Sequence, residues 1–268
     1  MTFLQPGSRA LIGMIHLPPL PGSTGYRGEP FERIVDRAVQ DARALADAGF
    51  RAGMIQNTHD LPSMAKAPPE TTAFLAAVGW AIRREVTLPL GVNVLKNDAE
   101  SALAVAAAVG AEFVRLKVYV GAVLGAEGLL EPAAPVALRM RQRLGTATEL
   151  WADLFDRTSV PLTSQSLAQL AEWAVRFGGA STLIVTGADW TLTLGMCQLA
   201  RAGAPSTPIA IGGGVTHANV SEALAHADAV IVGSALEHRP FTGPVSADKA
   251  RRLAQQAGAL ADRRQPAR

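Results

Sequence analysis

The sequence has little of several features that would place it in a particular class of protein. Cys197 is the only cysteine among 268 residues, which excludes an intramolecular disulfide framework and a zinc site built on cysteines. No apolar run approaches the roughly 18 residues that span a bilayer. The first residues also lack the pattern of a secretory signal. We therefore expect a cytoplasmic protein without a transmembrane segment.

The sequence also lacks a large excess of charge of either sign. The 25 basic and 23 acidic side chains leave a net charge of +2, and only 4 of the bases are lysines. So small a net charge gives no electrostatic footprint for nucleic acid or for an anionic membrane. No two histidines have the spacing of metal ligands, and neither a Walker loop nor a Rossmann fingerprint occurs. We therefore expect no bound metal, no cofactor and no nucleic-acid partner.

What the sequence does contain is a repeating unit: an alanine-rich helical segment, a glycine or Ala-Asp turn, and a short β-branched strand. Apolar residues make up 49% of the chain, so a sizeable core can form. Continuous apolar runs, typical of strands covered on both faces, predict strands at residues 10–15, 51–55, 90–94, 112–118, 150–154, 182–186, 208–211 and 229–232. Helices are predicted at residues 31–48, 71–85, 98–109, 135–144, 166–177, 191–202, 218–225 and 246–261.

Strict alternation of eight strands and eight helices predicts a single (β/α)8 TIM barrel of the phosphate-binding type. We place the domain at residues 1–261 and expect a frayed tail at 262–268. A doubly wound open sheet is the alternative, but HLPPLPGSTG follows the first strand where a dinucleotide fingerprint would stand. Four loops after strands are long, whereas the links from helix to strand are short. This asymmetry predicts a ligand site at the carboxyl ends of the strands.

Two glycine-containing loops follow the last two predicted strands. The seventh strand runs into Gly212, Gly213 and Gly214, and the eighth runs into Gly233 and Ser234. Glycine lets backbone N–H groups approach an anion closely, and many barrels bind a substrate phosphate between these two loops. The loops are therefore predicted to hold a small phosphorylated molecule, with Thr186 as a wall of the pocket. The alternative is that the glycines only turn the chain.

Three ionisable residues end the fourth and fifth predicted strands. Asp153 stands where it could act as a general base, and Asp156 and Arg157 follow in the same loop. Arg115 and Lys117 share one face of the fourth strand, with Lys117 nearer the barrel mouth. Lys117 could neutralise Asp153, bind an anionic substrate or form a Schiff base. The structural alternative for all three is an internal ion pair.

Two further polar residues close the first and third predicted strands. His16 could serve as an acid, a base or a ligand, or it could be a hydrogen-bonded structural residue. Asn93 has the parity to point inward, where a substrate could satisfy its amide. Asp98, a few residues later, is predicted to cap the next helix. His16, Asn93, Arg115, Lys117 and Asp153 together form the predicted catalytic set.

The stretch IGMIHLPPLPGSTGY at residues 12–26 is similar to the opening signature of the BtpA/SgcQ family. Further motifs of that family follow in order along nearly the whole chain: GVNVLKNDA (91–99), GAEFVRLKVYVGA (110–122), WAD (151–153), LIVTG (183–187), GGGVTHANV (212–220) and ADAVIVGSAL (227–236). The resemblance implies a TIM barrel related to phosphate-binding barrels. It also implies a link to photosystem I biogenesis, or to proteins of sugar metabolism.

The sequence departs from the family pattern at three places. The family's Lys-His pair after the fifth strand is replaced by residues 156–159, DRTS. A lysine that is typical after the eighth strand is Glu237 here, and Gly-Ser-Gly after the seventh strand is Gly-Gly-Gly. These differences put a catalytic step shared with the family in doubt, and a different substrate or a lost activity would explain them.

Three functions follow from these observations. The first is a metabolic enzyme of isomerase, lyase or aldolase type acting on a small phosphorylated substrate, with self-association into a homo-oligomer as in other barrels. The second, suggested by the family, is a non-catalytic assembly or stability factor of the photosystem I biogenesis type. The third, nucleotide hydrolysis, lacks a phosphate-cradling lysine loop.

Overall fold

The structure, a computed structural model, describes residues 2–162, 164–240 and 242–258. Its strands are β1 (Ala10–His16), β2 (Ala52–Gln56), β3 (Leu90–Asn93), β4 (Phe113–Leu116), β5 (Val123–Gly125), β6 (Gly128–Leu130), β7 (Glu149–Asp153), β8 (Val160–Pro161), β9 (Thr182–Val185), β10 (Ile209–Ile211) and β11 (Ala229–Val232). Its helices are α1 (Phe31–Asp47), α2 (Pro69–Glu85), α3 (Ala99–Val109), α4 (Ala134–Leu144), α5 (Leu167–Arg176), α6 (Trp190–Gly203), α7 (Val220–His226) and α8 (Ala247–Gly258). The predicted tail and the end of the last predicted helix lie outside the described residues.

Eight of the strands pair in parallel and close into a ring. The order around the ring is β1-β11-β10-β9-β7-β4-β3-β2, and β2 pairs with β1 to complete it. The predicted (β/α)8 barrel is therefore confirmed, and the open doubly wound sheet is excluded. Each predicted strand agrees with an observed barrel strand to within two residues at either end.

Large side chains fill the interior of the barrel at the end opposite the long loops. The rings of Phe113 and Trp151 stack there with centroids 3.7 Å apart and planes 8° from parallel. Leu4, from the segment before β1, is buried in the same cluster. Gly91 on β3 leaves the space that the Phe113 ring occupies, because a Cβ at that position would lie 2.2 Å from Phe113 Cε2.

The period of two along each strand places polar residues directly above this core. Met14, Trp151 and Ile231 belong to the interior cluster, and the inward-facing positions two residues later belong to His16, Asp153 and Gly233. The site residues therefore converge because they extend the same inward-facing rows toward the carboxyl ends of the strands.

A small antiparallel sheet, which the sequence did not predict, lies in the loops after β4 and β7. Its strand order is β6-β5-β8, with Leu124 opposite both Leu129 and Val160. These strands have only two or three residues, too few for a pattern of period two to show. The pairing also joins segments from two different loops, which no local pattern reveals.

Helix ends agree with the predicted turn chemistry. The Asp98 side chain accepts a hydrogen bond from the Ser101 backbone N–H, which confirms its predicted role as the cap of α3. Gly110 ends the same helix with a φ of 65°, a left-handed conformation that glycine adopts without strain. None of the described helices has the length and apolar character to cross a membrane.

A buried carboxylate ties α1 to the segment before α8. Asp41 is 2% exposed, and its Oδ1 accepts a hydrogen bond from the Val245 backbone N–H at 2.8 Å. Burial raises the pKa of Asp41 from its ordinary 3.8 to about 6, and this outweighs the lowering by that hydrogen bond. The carboxylate of Glu237 adds to the increase. The folded protein thus holds this proton more tightly than the unfolded chain does.

We expect Gly91→Ala to lower the free energy of unfolding by about 1–3 kcal/mol, because the stacked Trp151 prevents the Phe113 ring from retreating. Chemical denaturation would measure the loss. Gly195→Ala is the matched control, since a Cβ there meets nothing within 4 Å and alanine suits a helix better. Equal stability of the two variants would contradict this description of the core.

Asp41→Asn should alter how stability depends on pH. Because its folded pKa is raised, Asp41 stabilises the fold most below pH 3.8 and loses that contribution as the pH rises through about 6. The variant should therefore gain about 2 kcal/mol on the wild type between pH 4.5 and pH 8, as measured by urea unfolding. Asp248→Asn, at an exposed position on α8, should leave the pH profile unchanged. Parallel profiles for wild type and Asp41→Asn would refute the argument.

Candidate functional site

A cavity of about 440 Å³ opens at the carboxyl ends of the barrel strands. Most of the predicted site residues line it: His16, Arg115, Lys117, Asp153, Thr186, Gly212, Gly213, Gly214, Gly233 and Ser234. Asn93 is the predicted site residue that does not. The long loops and the polar strand ends therefore meet at one place, as the barrel topology requires.

The two glycine loops form one wall of this cavity. Among the described residues, four of their backbone N–H groups donate to no backbone carbonyl: those of Gly213, Gly214, Gly233 and Ser234. Backbone N–H groups require a partner, either protein, solvent or ligand. The loops from β10 and β11, which are neighbours in the ring, line the same cavity, so a molecule bound there could supply partners for these N–H groups.

Gly212 has a different role from the two glycines after it. Its N–H donates to the Val185 carbonyl at 2.9 Å and so continues the pairing of β10 with β9. A Cβ on Gly212 would lie 2.4 Å from Ile184 Cγ2 and 2.9 Å from Arg115 Nη2. Glycine is needed here because other groups approach the backbone closely. The buried hydroxyl of Thr186 lies beside it and has no hydrogen-bond partner in the described protein.

Arg115 and Asp153 form a buried ion pair on the floor of the cavity. Arg115 Nε donates to Asp153 Oδ1 at 2.8 Å, and Arg115 Nη2 donates to Asp153 Oδ2 at 2.7 Å. Burial opposes the charge on Arg115, but the carboxylate of Asp153 outweighs it and raises the pKa of the guanidinium. Both oxygens of Asp153 are therefore occupied by Arg115. Of the partners the sequence allowed for Asp153, the structure selects Arg115 and not Lys117.

Lys117 projects into the cavity immediately after β4. It is partly buried and makes no ion pair or hydrogen bond with the described residues. Burial lowers the pKa of its amine, and the nearby guanidinium of Arg115 lowers it further. The carboxylates of Asp153 and Asp156 act in the opposite direction but do not reverse the change.

His16 lies at the opposite side of the floor and pairs with a carboxylate. His16 Nδ1 lies 2.6 Å from Glu237 Oε1, and the two side chains are only 12% and 2% exposed. Glu237 Oε2 has no partner among the described residues. A Cβ on Gly233 would lie 2.7 Å from His16 Cε1, so glycine at 233 leaves room for the imidazole. From the sequence, Glu237 stood out only because the family typically has a lysine at this position.

Asn93 braces the barrel behind the cavity. It is fully buried, and its Nδ2 donates to the Arg115 carbonyl at 2.9 Å. Its Oδ1 has no partner in the described protein. The side chain is buried, but it is not among those that line the cavity.

A cluster centred on Lys96 joins three loops at the rim, and the sequence did not single out either Lys96 or Glu127. Lys96 Nζ lies 2.6 Å from Asp156 Oδ2 and 3.3 Å from Glu127 Oε2. It also donates to the hydroxyls of Thr158 and Ser159. Burial raises the pKa of Asp156, but hydrogen bonds from Lys96, Ser159 and Thr158 outweigh burial and lower this pKa to about 2. The scarcity of lysine was the one signal that could have drawn attention to Lys96.

Metal ligands do not gather in this site. No group of three histidine, cysteine, aspartate or glutamate side chains in the described ranges is placed to hold an ion. Besides His16, the polar groups that line the cavity are backbone N–H groups, hydroxyls, three basic side chains (Arg115, Lys117 and Arg157) and two carboxylates that are already paired (Asp153 and Asp156). The unpaired donors among them suit an anionic organic molecule.

Several proteins resemble this chain over most of its length. An uncharacterised protein of Thermococcus kodakarensis is 37% identical over 94% of this chain and 96% of its own length. The photosystem I biogenesis protein BtpA of Synechocystis is 33% identical over 85% of this chain and 80% of its own length. The putative sgc region protein SgcQ of Escherichia coli is 27% identical over 84% of this chain and 85% of its own length.

Solved structures share the fold at low sequence identity. Tryptophan synthase from M. tuberculosis superposes with a TM-score of 0.61 and 17% identity, covering 97% of this chain and 98% of that one. Phosphoribosyl anthranilate isomerase from Thermus thermophilus superposes with a TM-score of 0.56 and 16% identity, covering 94% and 99%. The model of the BtpA family matches residues 7–259. Together with the relatives above, that match shows that the chain belongs to the BtpA family.

Proposed function

We propose that this protein is a metabolic enzyme of isomerase or lyase type, aldolases included, that acts on a small phosphorylated substrate. The observation that carries the proposal is the wall of four free backbone N–H groups at 213–214 and 233–234. Such groups, held rigidly by strand ends, bind phosphate without a change in the backbone. A cytoplasmic location and self-association into a homo-oligomer remain predictions from the sequence.

The size and charge of the cavity support a substrate with one anionic end. A volume of about 440 Å³ is within the usual range for small-molecule sites. Among the side chains that line it, the charges of Arg115 and Asp153 balance each other. Arg157 adds a positive charge that no described ion pair neutralises. An anion entering the cavity therefore meets N–H groups without described partners and the cationic side chain of Arg157.

The ring order supports a substrate that lies across the cavity, with its phosphate and its reacting atoms on different sides. Counting around the barrel, β4 lies four strands from β11 and three from β10. A substrate whose phosphate contacts the glycine loops would therefore extend its other end toward Lys117. The reacting carbon would then lie between Lys117 and His16, which stands beside the glycine loop of β11, while the phosphate contacts position the substrate.

Proton transfer is assigned to His16 rather than to Asp153. The pair with Glu237 fixes the ring of His16 through Nδ1, and Nε2 has no partner among the described residues. A histidine oriented by a carboxylate is suited to general acid–base work. Asp153, with both oxygens on Arg115, instead orients that guanidinium. Arg115 would stabilise negative charge that develops on the substrate.

A second function, assembly or stability factor, is favoured by one surface feature. Leu124, Leu129 and Val160 stand in a row across β6-β5-β8 and are 52%, 57% and 65% exposed. Contiguous exposed apolar side chains are often contact surfaces for another protein. The Synechocystis relative is named for photosystem I biogenesis. A scaffold role would use this row and would not need the cavity.

The phosphate proposal is tested by a charge placed in the cradle. Gly213 has a negative φ, and a Cβ there approaches only Thr186, at 3.2 Å from Cγ2, so a short side chain is tolerated. We expect Gly213→Asp to abolish phosphate binding by charge repulsion, whereas the neutral Gly213→Asn of equal size retains part of it. Titration of inorganic phosphate followed by 31P NMR measures both. Equal binding by the two variants, or no binding by the wild type, would contradict the cradle.

The scaffold function is tested in cells. Leu124→Ser and Leu129→Ser should prevent the protein from replacing BtpA in a Synechocystis strain that lacks it, with photosystem I content as the measurement. The same variants should bind phosphate as the wild type does, because neither residue lines the cavity. Full replacement by the serine variants would count against the exposed row as a contact surface.

A further inference from the structure

The four lysines of this chain differ in their surroundings. Lys66 pairs with Glu100 at 2.8 Å, and Lys249 Nζ donates to the Glu237 carbonyl at 2.6 Å. Lys96 is held by two carboxylates and two hydroxyls. Lys117 alone makes no ion pair or hydrogen bond with the described residues. In a protein with so few lysines, the amine without a protein partner is the one that faces the cavity.

The environment of Lys117 favours its uncharged form. Burial removes part of the water that would solvate an ammonium ion, and Arg115 repels a second positive charge, so both lower the pKa of this amine. Lys66 provides the contrast, because its pairing with Glu100 raises the pKa of an amine at the surface. A lysine must be neutral to attack a carbon atom, and desolvation next to another cation is a known means of activation.

We propose that Lys117 is a nucleophile that forms a Schiff base with the carbonyl group of a small phosphorylated aldehyde or ketone. The inference rests on the proposed function for the phosphate half of the substrate, which would lie on the glycine loops opposite β4. Three observations support the proposal: the amine has no partner among the described residues, it lies in the cavity, and the glycine loops across the cavity have N–H groups without backbone acceptors. The substrate class is then a compound with a phosphate at one end and a carbonyl at the other.

The step can be written in full. The lone pair of Lys117 Nζ attacks the carbonyl carbon, and the π electrons of the C=O bond move to oxygen. The oxygen then leaves as water, taking one proton from the nitrogen and one from solvent, and an iminium ion remains. The carboxylates of Asp153 and Asp156 lie close enough to offset part of the lowering of this amine's pKa. They would therefore also stabilise the positive charge of the iminium ion. The iminium withdraws electrons, as isomerase and lyase chemistry at the adjacent carbon requires.

The test uses glyceraldehyde 3-phosphate and glyceraldehyde as probes, with cyanoborohydride to reduce any Schiff base to a stable secondary amine. Peptide mapping by mass spectrometry assigns the product to one of the four lysines. We expect Lys117 to be labelled at least about tenfold faster than Lys66 at pH 7, because the pKa of Lys117 is lowered and that of Lys66 is raised. The phosphorylated probe should label Lys117 faster than glyceraldehyde does.

The variants Lys117→Met and Lys66→Met separate the amine from its surroundings. Lys117→Met should lose the fast labelling and still bind inorganic phosphate, whereas Lys66→Met should keep both. If Lys117 in the wild type reacts no faster than Lys66 while inorganic phosphate binds, the Schiff base is refuted and the phosphate cradle stands. If both probes label Lys117 quickly and at equal rates, the amine is confirmed as the nucleophile and the cradle fails.

Discussion

Closure of the parallel sheet is the constraint on which the rest of the molecule depends. Once eight strands form a ring, every second side chain must point inward, and the first such layers are filled by Phe113, Trp151 and their neighbours. The next inward positions cannot be apolar throughout, because they meet solvent at the mouth. His16, Arg115 and Asp153 occupy them and partner one another or Glu237. The core therefore determines the depth and position of the cavity.

The sequence predicted the barrel well, because each strand is a continuous apolar run and each helix carries its own composition and end signal. Asp98 and Gly110 show this locally, and ten of the eleven predicted site residues line the cavity because strand parity and strand order fix where they lie. The sequence could not predict contacts between loops. Lys96 and Glu127 are separated by a helix and two strands, so their contact depends on three-dimensional packing.

The polar groups of the site fall into two sets: those paired with a partner inside the protein, and those without such a partner among the described residues. The Arg115–Asp153 pair and the Lys96 cluster satisfy their charges internally, and buried charges are stable only when they are paired in this way. Lys117 and the free N–H groups of the glycine loops lack such partners in the described protein. An unsatisfied group in a cavity is costly in an empty site and favourable when a ligand supplies the missing partner.

Arg115 extends from β4 almost to the opposite loop, where a Cβ on Gly212 would lie 2.9 Å from its guanidinium. The guanidinium therefore lies between two walls of the cavity, the glycine loops on one side and the end of β4 with Lys117 on the other. Any side chain introduced at 212 would push it off Asp153 and alter the electrostatic field felt by Lys117. The two walls thus form one mechanical unit, and a protein engineer who wished to change the specificity of one loop would have to redesign both together.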